Sequence, residues 1–374
     1  MKFIIKANIF DEKNALAFLK EQLKLYNFKR PLIICDQILS DNDYIKINIK
    51  NIKTKFIKFN KEPTYELLDQ EIKKIKKIKN LDCIVAIGGG SSIDFGKGIA
   101  LLYKNKGPSL KYMGFPNKIN TPLPVVAIPS TVSTGSEVIY NAVFTYEKGK
   151  KKLGINSNKN FPVLSILDTN LIKTAPYSII LQSAIASLVR SIETYTSVDA
   201  NQLTKFFSIK SFELIINAFK EKNKSTKFYK NLQWGSIFSM FALSNSSSGP
   251  CGVINYYLSV NYKIPQALAY NFTAIEYFKQ NISNGYKGYD KLLKETNLIS
   301  KKNIKKNTFS NLLNKIIKKN IINIQKSKNK IKKDDNFEKK MLEIFKDIGI
   351  GVLKKNPINM NVKDLKVIIE RIKK

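Results

Sequence analysis

Histidine is absent from this chain of 374 residues. Catalytic proton transfer and metal binding must therefore use other side chains, although histidine is the commonest choice for both. Cysteine is rare, and Cys35, Cys83 and Cys251 lie too far apart to indicate a disulfide framework or a zinc knuckle. No apolar run reaches the roughly 18–20 residues of a membrane span, and the N-terminal residues do not have the form of a signal peptide. We expect a cytoplasmic protein with no membrane contact.

Arginine is also scarce, being limited to Arg30, Arg190 and Arg371, although the net charge is +35. The positive charge comes from lysines that are spread along the chain among asparagine and isoleucine. Proteins that read bases or phosphates with two parallel hydrogen bonds use arginine for this purpose. We therefore interpret the lysines as solvated faces and expect no specific nucleic-acid partner. A basic nucleic-acid-binding protein remains a third reading.

The length of the chain and its 43% hydrophobic residues predict two or three domains with sizeable cores. The first part alternates apolar strands with helices, which indicates a parallel sheet covered on both faces. The predicted strands are 3–5, 31–35, 55–60, 83–87 and 124–128, and the predicted helices are 12–25, 65–78 and 93–103. The later periodicity is helical, with helices predicted at 179–195, 205–219, 232–244 and 309–322. The sequence thus predicts an α/β domain with a parallel, Rossmann-like sheet over 1–172 and an all-helical domain over 173–374.

A glycine turn follows the buried strand at 83–87 and opens a helix that carries Asp94. The turn consists of Gly88, Gly89, Gly90 and Ser91. Glycine lets the backbone approach a ligand closely, and the N–H groups at the start of a helix favour a phosphate. A plain tight turn is the alternative, because the pattern is not the G-x-G-x-x-G fingerprint. The strand before the turn and the helix after it favour a phosphate site.

A second polar run follows the strand at 124–128. Its hydroxyl groups belong to Ser130, Thr131, Ser133, Thr134 and Ser136. Ligands of open parallel sheets bind at the carboxyl ends of the strands. Alone, the run could be a polar loop that caps the next helix. Because both polar loops follow sheet strands, we predict that they share one cofactor cleft.

The segments 87–97 and 128–137 resemble the two cofactor motifs of the iron-containing (group III) alcohol dehydrogenase family. The segments 167–171 and 183–195 and the pair Asn356-Pro357 match the same family in the same order, so the resemblance spans nearly the whole chain. It implies a dehydroquinate synthase-like, iron-alcohol-dehydrogenase-like architecture. An N-terminal domain would bind NAD or NADP, a helical domain would follow, and a cleft would lie between them.

The resemblance also implies roles in cofactor binding. The glycine turn would hold the pyrophosphate, and the second polar loop would line the nicotinamide side. Asp36, which follows the second strand, would sit by the adenosine ribose and favour NAD over NADP. Asp94 and Lys152 are assigned to the same cofactor site.

The family holds a divalent metal with an aspartate and three histidines in the helical domain, and here this chain departs from it. Ala186 and Arg190 stand at the first two ligand positions, and Gly252 and Gln266 at the others. A small gap in the alignment would put Asn255 in place of Gly252. None of these side chains is a carboxylate or an imidazole, and Arg190 is a fixed cation. We therefore expect no bound metal.

Our hypothesis is that Arg190 takes over the vacated position and either polarises a carbonyl or holds an anionic group of the substrate. Tyr256 stands where the family has a further histidine, and it would supply or orient a proton, as would the nearby Tyr257, Tyr262 and Lys263. The segments 248–250 and 256–258 also resemble the phosphonoacetaldehyde reductase branch, which handles a small anionic aldehyde.

The predicted function is an NAD(P)-dependent oxidoreductase that acts on a small aldehyde or the matching alcohol, with a homodimer as one possible assembly. The alternative is a catalytically retired, nucleotide-binding relative, in which Arg190 only fills an abandoned metal site.

Overall fold

The computed structural model describes residues 3–52, 54–59, 62–132, 135–305, 307–320, 324–345 and 350–374. The chain divides into two compact units. The first, called the α/β unit below, is Ile4–Pro176. The second, the helical unit, is Tyr177–Lys374 together with Met1–Phe3.

A six-stranded parallel sheet forms the centre of the α/β unit, in the order β1-β8-β5-β4-β2-β3. A separate antiparallel hairpin is made by β6 and β7. The strands are β1 Ile9–Asp11, β2 Pro31–Asp36, β3 Lys55–Phe59, β4 Cys83–Gly88, β5 Val125–Pro129, β6 Asn141–Tyr146, β7 Lys151–Asn156 and β8 Leu164–Leu167.

The central strands are buried, as their continuous apolar sequences predict. Val85 of β4 lies between Ile33 of β2 and Val126 of β5. Successive side chains of a strand point to opposite faces of the sheet. Ile84 accordingly packs in the hydrophobic core on one face, and Val85 packs in the core on the other.

Helices cover both faces of this sheet. They are α1 Leu19–Leu25, α2 Gln37–Ser40, α3 Asp43–Ile49, α4 Tyr65–Ile75, α5 Gly90–Lys104 and α6 Thr169–Lys173. Leu68 of α4 and Ile99 of α5 belong to the core on one face. Leu19 of α1 and Ile45 of α3 belong to the core on the other.

Asp168 connects the end of the sheet with its beginning. Its buried carboxylate accepts hydrogen bonds from the backbone N–H of Leu16 (2.9 Å), the hydroxyl of Tyr44 (2.7 Å) and the backbone N–H of Asn170 (2.9 Å). A buried carboxylate is tolerated when its oxygens are hydrogen-bonded in this way. These contacts hold the N-terminal segment and α3 beside the start of α6.

Two sequence predictions at the N-terminus are wrong. The first strand is β1, not 3–5, and the helix predicted from residue 12 begins as a 3-10 turn at Ala15–Phe18. Asn14 has a left-handed backbone (φ 56°), which interrupts a helix at this point. The β6–β7 hairpin and β8 were not predicted, because these strands are short and the hairpin carries mixed polar residues.

The helical unit is built from helices throughout its described part. They are α7 Tyr177–Thr196, α8 Gln202–Lys220, α9 Thr226–Leu243, α10 Cys251–Tyr262, α11 Gln266–Ser283, α12 Gly288–Glu295, α13 Thr308–Asn320, α14 Ile324–Lys332, α15 Phe337–Ile344, α16 Ile350–Leu353 and α17 Val362–Lys373. The side chains of Asn201, Ser225 and Asn361 cap α8, α9 and α17.

Helix α7 is the centre of this unit. It is buried from Ile180 to Thr196 and packs against α8, α9 and α11. No helix in the described residues is both long enough and apolar enough to cross a bilayer. A parallel-sheet α/β unit followed by a helical unit is the fold class predicted from the sequence, which is therefore confirmed.

Candidate functional site

Gly88 ends β4 at a point where a side chain does not fit. Its φ of +145° lies in a region that L side chains rarely adopt. A Cβ at this position would lie 2.7 Å from the Ser92 hydroxyl oxygen and 3.0 Å from the Cβ of Asp36. The turn itself therefore requires glycine, and it brings the end of β4 against the end of β2.

Gly89 is the N-cap residue of α5 and leaves the first turn of this helix, which includes Gly90 and Ser91, without a side-chain cap. Helices α10, α11 and α12 also lack a side-chain cap, so the glycines before α5, and not the missing cap, distinguish its start. The N–H groups of an uncapped helix start need another acceptor, and a phosphate supplies one. The start of α5 thus fits a phosphate group.

The second polar loop runs beside the glycine turn. The backbone N–H of Ser130 donates to the carbonyl of Gly88 (2.9 Å). The side chain of Thr131 lies 3.7 Å from the place that a Cβ at Gly89 would occupy. Ser136 in the same loop is buried. The structure therefore brings the two loops together, while Ser133 and Thr134 lie outside the described residues.

Asp94 and Lys97 form a buried pair on α5. The ammonium group of Lys97 donates to the carbonyl oxygens of Ile139 (2.7 Å) and Asn141 (2.9 Å), and Asp94 accepts from the backbone N–H of Val143 (3.0 Å). Burial lowers the pKa of Lys97 to about 8, although the neighbouring Asp94 carboxyl opposes this, and burial also raises the pKa of Asp94. The pair ties α5 to the chain that follows the second loop. Lys97 was not among the predicted site residues.

Asp36 and Lys152 lie around the same turn. Asp36 ends β2, packs beside Gly88 and accepts a hydrogen bond from the backbone N–H of Ile38 (2.9 Å). Lys152 of β7 forms an ion pair with Glu62 (2.6 Å). Its positive charge also acts against the rise in the pKa of Asp94 that burial causes. Asp36 therefore lies against the glycine turn at the carboxyl end of the sheet, whereas Lys152 acts on this region through its charge near Asp94.

Arg190 lies in the helical unit on α7, one turn after Ala186, and both side chains are buried. One guanidinium nitrogen, Nη1, donates to the hydroxyl of Ser239 on α9 (3.3 Å). Arginine keeps its charge when it is buried, so this position carries a permanent cation. Only 8% of Arg190 is exposed.

Glu193 follows Arg190 by one turn and is 2% exposed. Neither carboxyl oxygen makes a hydrogen bond of normal geometry with a described residue, although the N–H groups of Gly249 and Cys251 face it. Burial raises the pKa of Glu193 to about 8, while Arg190 and these N–H groups act to lower it. A raised pKa favours the protonated form of this carboxyl, and that form does not cancel the charge of Arg190.

Tyr270 is a candidate site residue that the sequence interpretation missed. It is buried on α11, one turn after Gln266. A Cβ at Gly252 would lie 3.5 Å from its hydroxyl oxygen. Burial raises the pKa of Tyr270 well above its ordinary range; Glu193 and Tyr256 raise it further, whereas Arg190 lowers it. The spacing of four residues from Gln266 was the one signal in the sequence that pointed to it.

Other predicted proton donors are engaged elsewhere. The hydroxyl of Tyr262 donates to Asp334 (2.7 Å), and the rings of Tyr257 and Tyr262 pack against Phe337. Lys263 is exposed and ends α10 in a left-handed conformation (φ 54°). Tyr256 lies on α10, one turn after Gly252, the residue that the Tyr270 hydroxyl faces.

In this chain, the four positions that correspond to the family's metal ligands do not offer a donor set for a divalent ion. Ala186 and Gly252 have no donor atom, Arg190 is a cation, and Gln266 has one amide oxygen. Within the described ranges, no three side chains of His, Cys, Asp or Glu are grouped so as to hold a metal. The residues here do not fit the metal.

Family models match both units of the chain. Residues 7–169 match the model described as "Iron-containing alcohol dehydrogenase", and residues 180–372 match "Fe-containing alcohol dehydrogenase family, C-terminal". The chain belongs to the iron-containing alcohol dehydrogenase family. Its resemblance to that family, inferred above from the two cofactor motifs, is therefore confirmed.

Named relatives of the family are similar over part of their length. Alcohol dehydrogenase 4 of Schizosaccharomyces pombe is 30% identical over 275 residues, which cover 71% of this chain and 65% of that protein. The 4-hydroxybutyrate dehydrogenase of Clostridium kluyveri is 31% identical over 241 residues, covering 62% of this chain and 64% of that protein. The chain thus spans slightly less than two thirds of these two relatives.

Solved structures of the family share the fold over nearly the whole chain. An alcohol dehydrogenase from Oenococcus oeni has a TM-score of 0.86 at 20% identity and covers 99% of both chains. A sulfoacetaldehyde reductase from Bifidobacterium kashiwanohense, solved in complex with NAD+, has a TM-score of 0.86 at 17% identity. It covers 100% of this chain and 98% of that one.

Proposed function

We propose that this chain is an NAD(P)-dependent oxidoreductase of the alcohol dehydrogenase type, which interconverts a small anionic aldehyde and its alcohol without a metal. The domain over 1–172 binds the nucleotide, and the helical domain over 173–374 binds the oxygen of the substrate. The observation that carries the proposal is the uncapped glycine turn paired with the second polar loop. The start of α5 offers backbone N–H groups to a phosphate, which supports nucleotide binding.

The preferred nucleotide in this proposal is NAD. The carboxylate of Asp36 lies at the end of β2 beside Gly88, and a carboxylate in such a position accepts hydrogen bonds from ribose hydroxyls. The same charge repels the 2′-phosphate of NADP. Asp94 and Lys152 are the other side chains proposed for the nucleotide site.

Nicotinamide, when bound, supplies or accepts the hydride. During reduction the carbonyl oxygen of the substrate gains negative charge, and the guanidinium of Arg190 stabilises that charge as a fixed cation. The proton then comes from a phenol. Tyr270 is the first candidate because its hydroxyl faces Gly252, one of the four family ligand positions, and Tyr256 is the second candidate.

Arg190 has a second role open to it, in which its guanidinium holds an anionic group of the substrate instead of the carbonyl oxygen, and this role is the reason for proposing an anionic aldehyde. The names of two relatives, sulfoacetaldehyde reductase and 4-hydroxybutyrate dehydrogenase, refer to molecules that carry an anionic group. A fixed guanidinium attracts an anionic group more strongly than an uncharged competitor.

The second candidate is a nucleotide-binding relative that has lost catalysis. Its supporting observation is that Arg190 is 8% exposed and already donates to Ser239. In this case Arg190 would be a structural cation and would contact no substrate.

The test is NADH oxidation with sulfoacetaldehyde and with 4-oxobutanoate, in the presence of a chelator. We expect turnover that Arg190→Ala lowers by about 10²–10³ in kcat, as for the loss of one oxyanion donor. Arg371→Ala is the matched control, because it removes a guanidinium elsewhere in the same unit, where Arg371 contacts Gln280. Tyr270→Phe should lower kcat more than Tyr256→Phe.

Four outcomes test these readings. Saturable NADH binding without turnover of any small aldehyde favours the retired relative. Activity that the chelator abolishes and added iron or zinc restores contradicts metal-free catalysis. No saturable binding of NADH or NADPH contradicts both candidates, whereas strong DNA binding at moderate salt would revive the nucleic-acid reading.

A further inference from the structure

A second charged cavity lies in the α/β unit, away from the glycine turn. It has a volume of about 560 Å³ and is lined by the end of α5, the chain that follows it and the residues after β7. Five lysines contribute to its wall, namely Lys104, Lys106, Lys111, Lys118 and Lys159. Among the described residues that line it, none is Asp or Glu.

The length of α5 separates this cavity from the nucleotide site. The helix begins at Gly90, next to the glycine turn, and ends at Lys104, on the cavity wall. Because a helix rises about 1.5 Å per residue, the two ends lie about 21 Å apart. In a parallel α/β sheet the helix returns to the amino end of the strands. The cavity is therefore at the edge of the sheet opposite to the glycine turn.

The walls of this lysine cavity are held together by hydrogen bonds. The buried side-chain amide of Asn105 donates to the carbonyl of Asn120 (3.1 Å) and accepts from its N–H (2.7 Å). The side chain of Asn120 donates in return to the carbonyl of Lys104 (3.1 Å). The hydroxyl of Tyr112 donates to the carbonyl of Lys106 (2.6 Å). The cavity is thus preorganised rather than formed by a loose loop.

Attraction to the carboxyl end of α5 does not explain why these lysines lie together. The carboxyl end of a helix attracts cations, but its carbonyls already have partners here. Asn105 donates to Leu101, and the carbonyl of Asn105 accepts from Lys76, which does not line the cavity. The ion pairs found among the described residues all lie elsewhere. The charge of the cavity is left without a compensating carboxylate.

We propose that the lysine cavity binds a small, multiply charged phosphate compound, such as a pyrophosphate or a bisphosphorylated metabolite. Lysine is a compact point charge that suits a tetrahedral, multivalent anion, whereas the flat carboxylate of a monoacid is better matched by arginine. The volume of the cavity is in the range of about 300–1,000 Å³ that is usual for small ligands. The cavity is open to solvent on one side, and a phosphorylated macromolecule is therefore the other outcome that the test distinguishes.

The test is isothermal titration of pyrophosphate into the full chain, with and without saturating NADH. One variant carries Lys104→Gln, Lys106→Gln and Lys118→Gln. Its matched control carries Lys13→Gln, Lys20→Gln and Lys24→Gln, which remove the same charge from exposed positions near α1. We expect the cavity variant to bind about tenfold more weakly, because exposed ion pairs each contribute modestly, and the control to change less than twofold.

Several results would overturn the proposal. An equal loss of affinity in both variants would attribute binding to the overall positive charge. Complete displacement of pyrophosphate by NADH would locate it at the glycine turn instead. Cavity-dependent binding of single-stranded RNA without binding of pyrophosphate or fructose 1,6-bisphosphate would identify a macromolecule as the ligand. Absence of any binding to the unmodified chain would also refute it. Because the substitutions are at exposed positions, unchanged thermal unfolding should confirm that both variants are folded.

Discussion

Glu193→Gln should gain stability over the unmodified chain as pH rises. We expect the difference in the free energy of unfolding between the two proteins to favour the variant more at pH 8 than at pH 4.5. The unfolded chain releases the Glu193 proton near pH 4.3, whereas the folded chain releases it near pH 8, because burial raises the pKa. Between these values the folded state holds the extra proton, so the free energy of unfolding falls as pH rises. The fall is roughly 4 kcal/mol over this window. Glutamine does not titrate, so the variant lacks this loss.

The assay is urea unfolding at half-unit steps from pH 4.5 to pH 8.5 for the unmodified chain, Glu193→Gln and Glu370→Gln. Glu370 is exposed on α17 in the same unit, so its replacement controls for the removal of one carboxylate. We expect the curve of Glu193→Gln to diverge from the other two above pH 5. Curves that stay parallel for all three proteins would refute the raised pKa of Glu193.

The ionisation of Glu193 should also change substrate binding at the proposed site. Above about pH 8 the carboxylate of Glu193 ionises and offsets the charge of Arg190, with Tyr270 and Cys251 as the other titratable groups in the cluster. The KM for an anionic aldehyde should then rise in the unmodified chain and stay constant in Glu193→Gln. A KM that rises equally in both proteins would assign the effect to another group.

Two further predictions concern the glycine turn. Gly88→Ala should lower the free energy of unfolding by about 2–5 kcal/mol, from strained backbone and contact with Ser92. Gly114 has a φ of +81°, but a Cβ there would meet open space. Urea unfolding of Gly114→Ala should therefore show a loss of only about 1–2 kcal/mol. Equal losses in the two variants would refute the contribution of the contact with Ser92. Asp36→Ser keeps a side chain able to cap Ile38 but removes the charge, so fluorescence titration should show NADPH affinity rising about tenfold relative to NADH. An unchanged ratio of the two affinities would show that Asp36 does not determine the choice of nucleotide.

The sequence predicted those parts of the fold in which local and global signals agree. The run Cys83–Gly88 is continuously apolar, as a strand buried on both faces must be, and the glycine turn after it was evident for the same reason. The strand β1 was missed because it has three residues, all only partly buried, and its pairing with β8 depends on a segment far along the chain.

The candidate site also has some residues that the sequence predicted and others that it did not. The two polar loops could be read from the sequence because each directly follows a strand. Tyr270 could not, because its relation to Gly252 and Arg190 arises when α7, α10 and α11 pack together. An aromatic residue at helical spacing looks like any other core residue until the packing is known. The role of Lys97 likewise depends on carbonyl groups of a hairpin that was not predicted.

The bonds of Asp168 have a consequence for synthesis of the chain. Its carboxylate binds the N–H of Leu16 across 152 residues, and β1 pairs only with β8 in the sheet. A chain that emerges from the ribosome in order can pair β2, β3 and β4 early, but β1 has no neighbour until residue 167 is available. Such non-local closure slows folding. The first strand of this protein must therefore wait, unpaired, for almost half of the chain to be made.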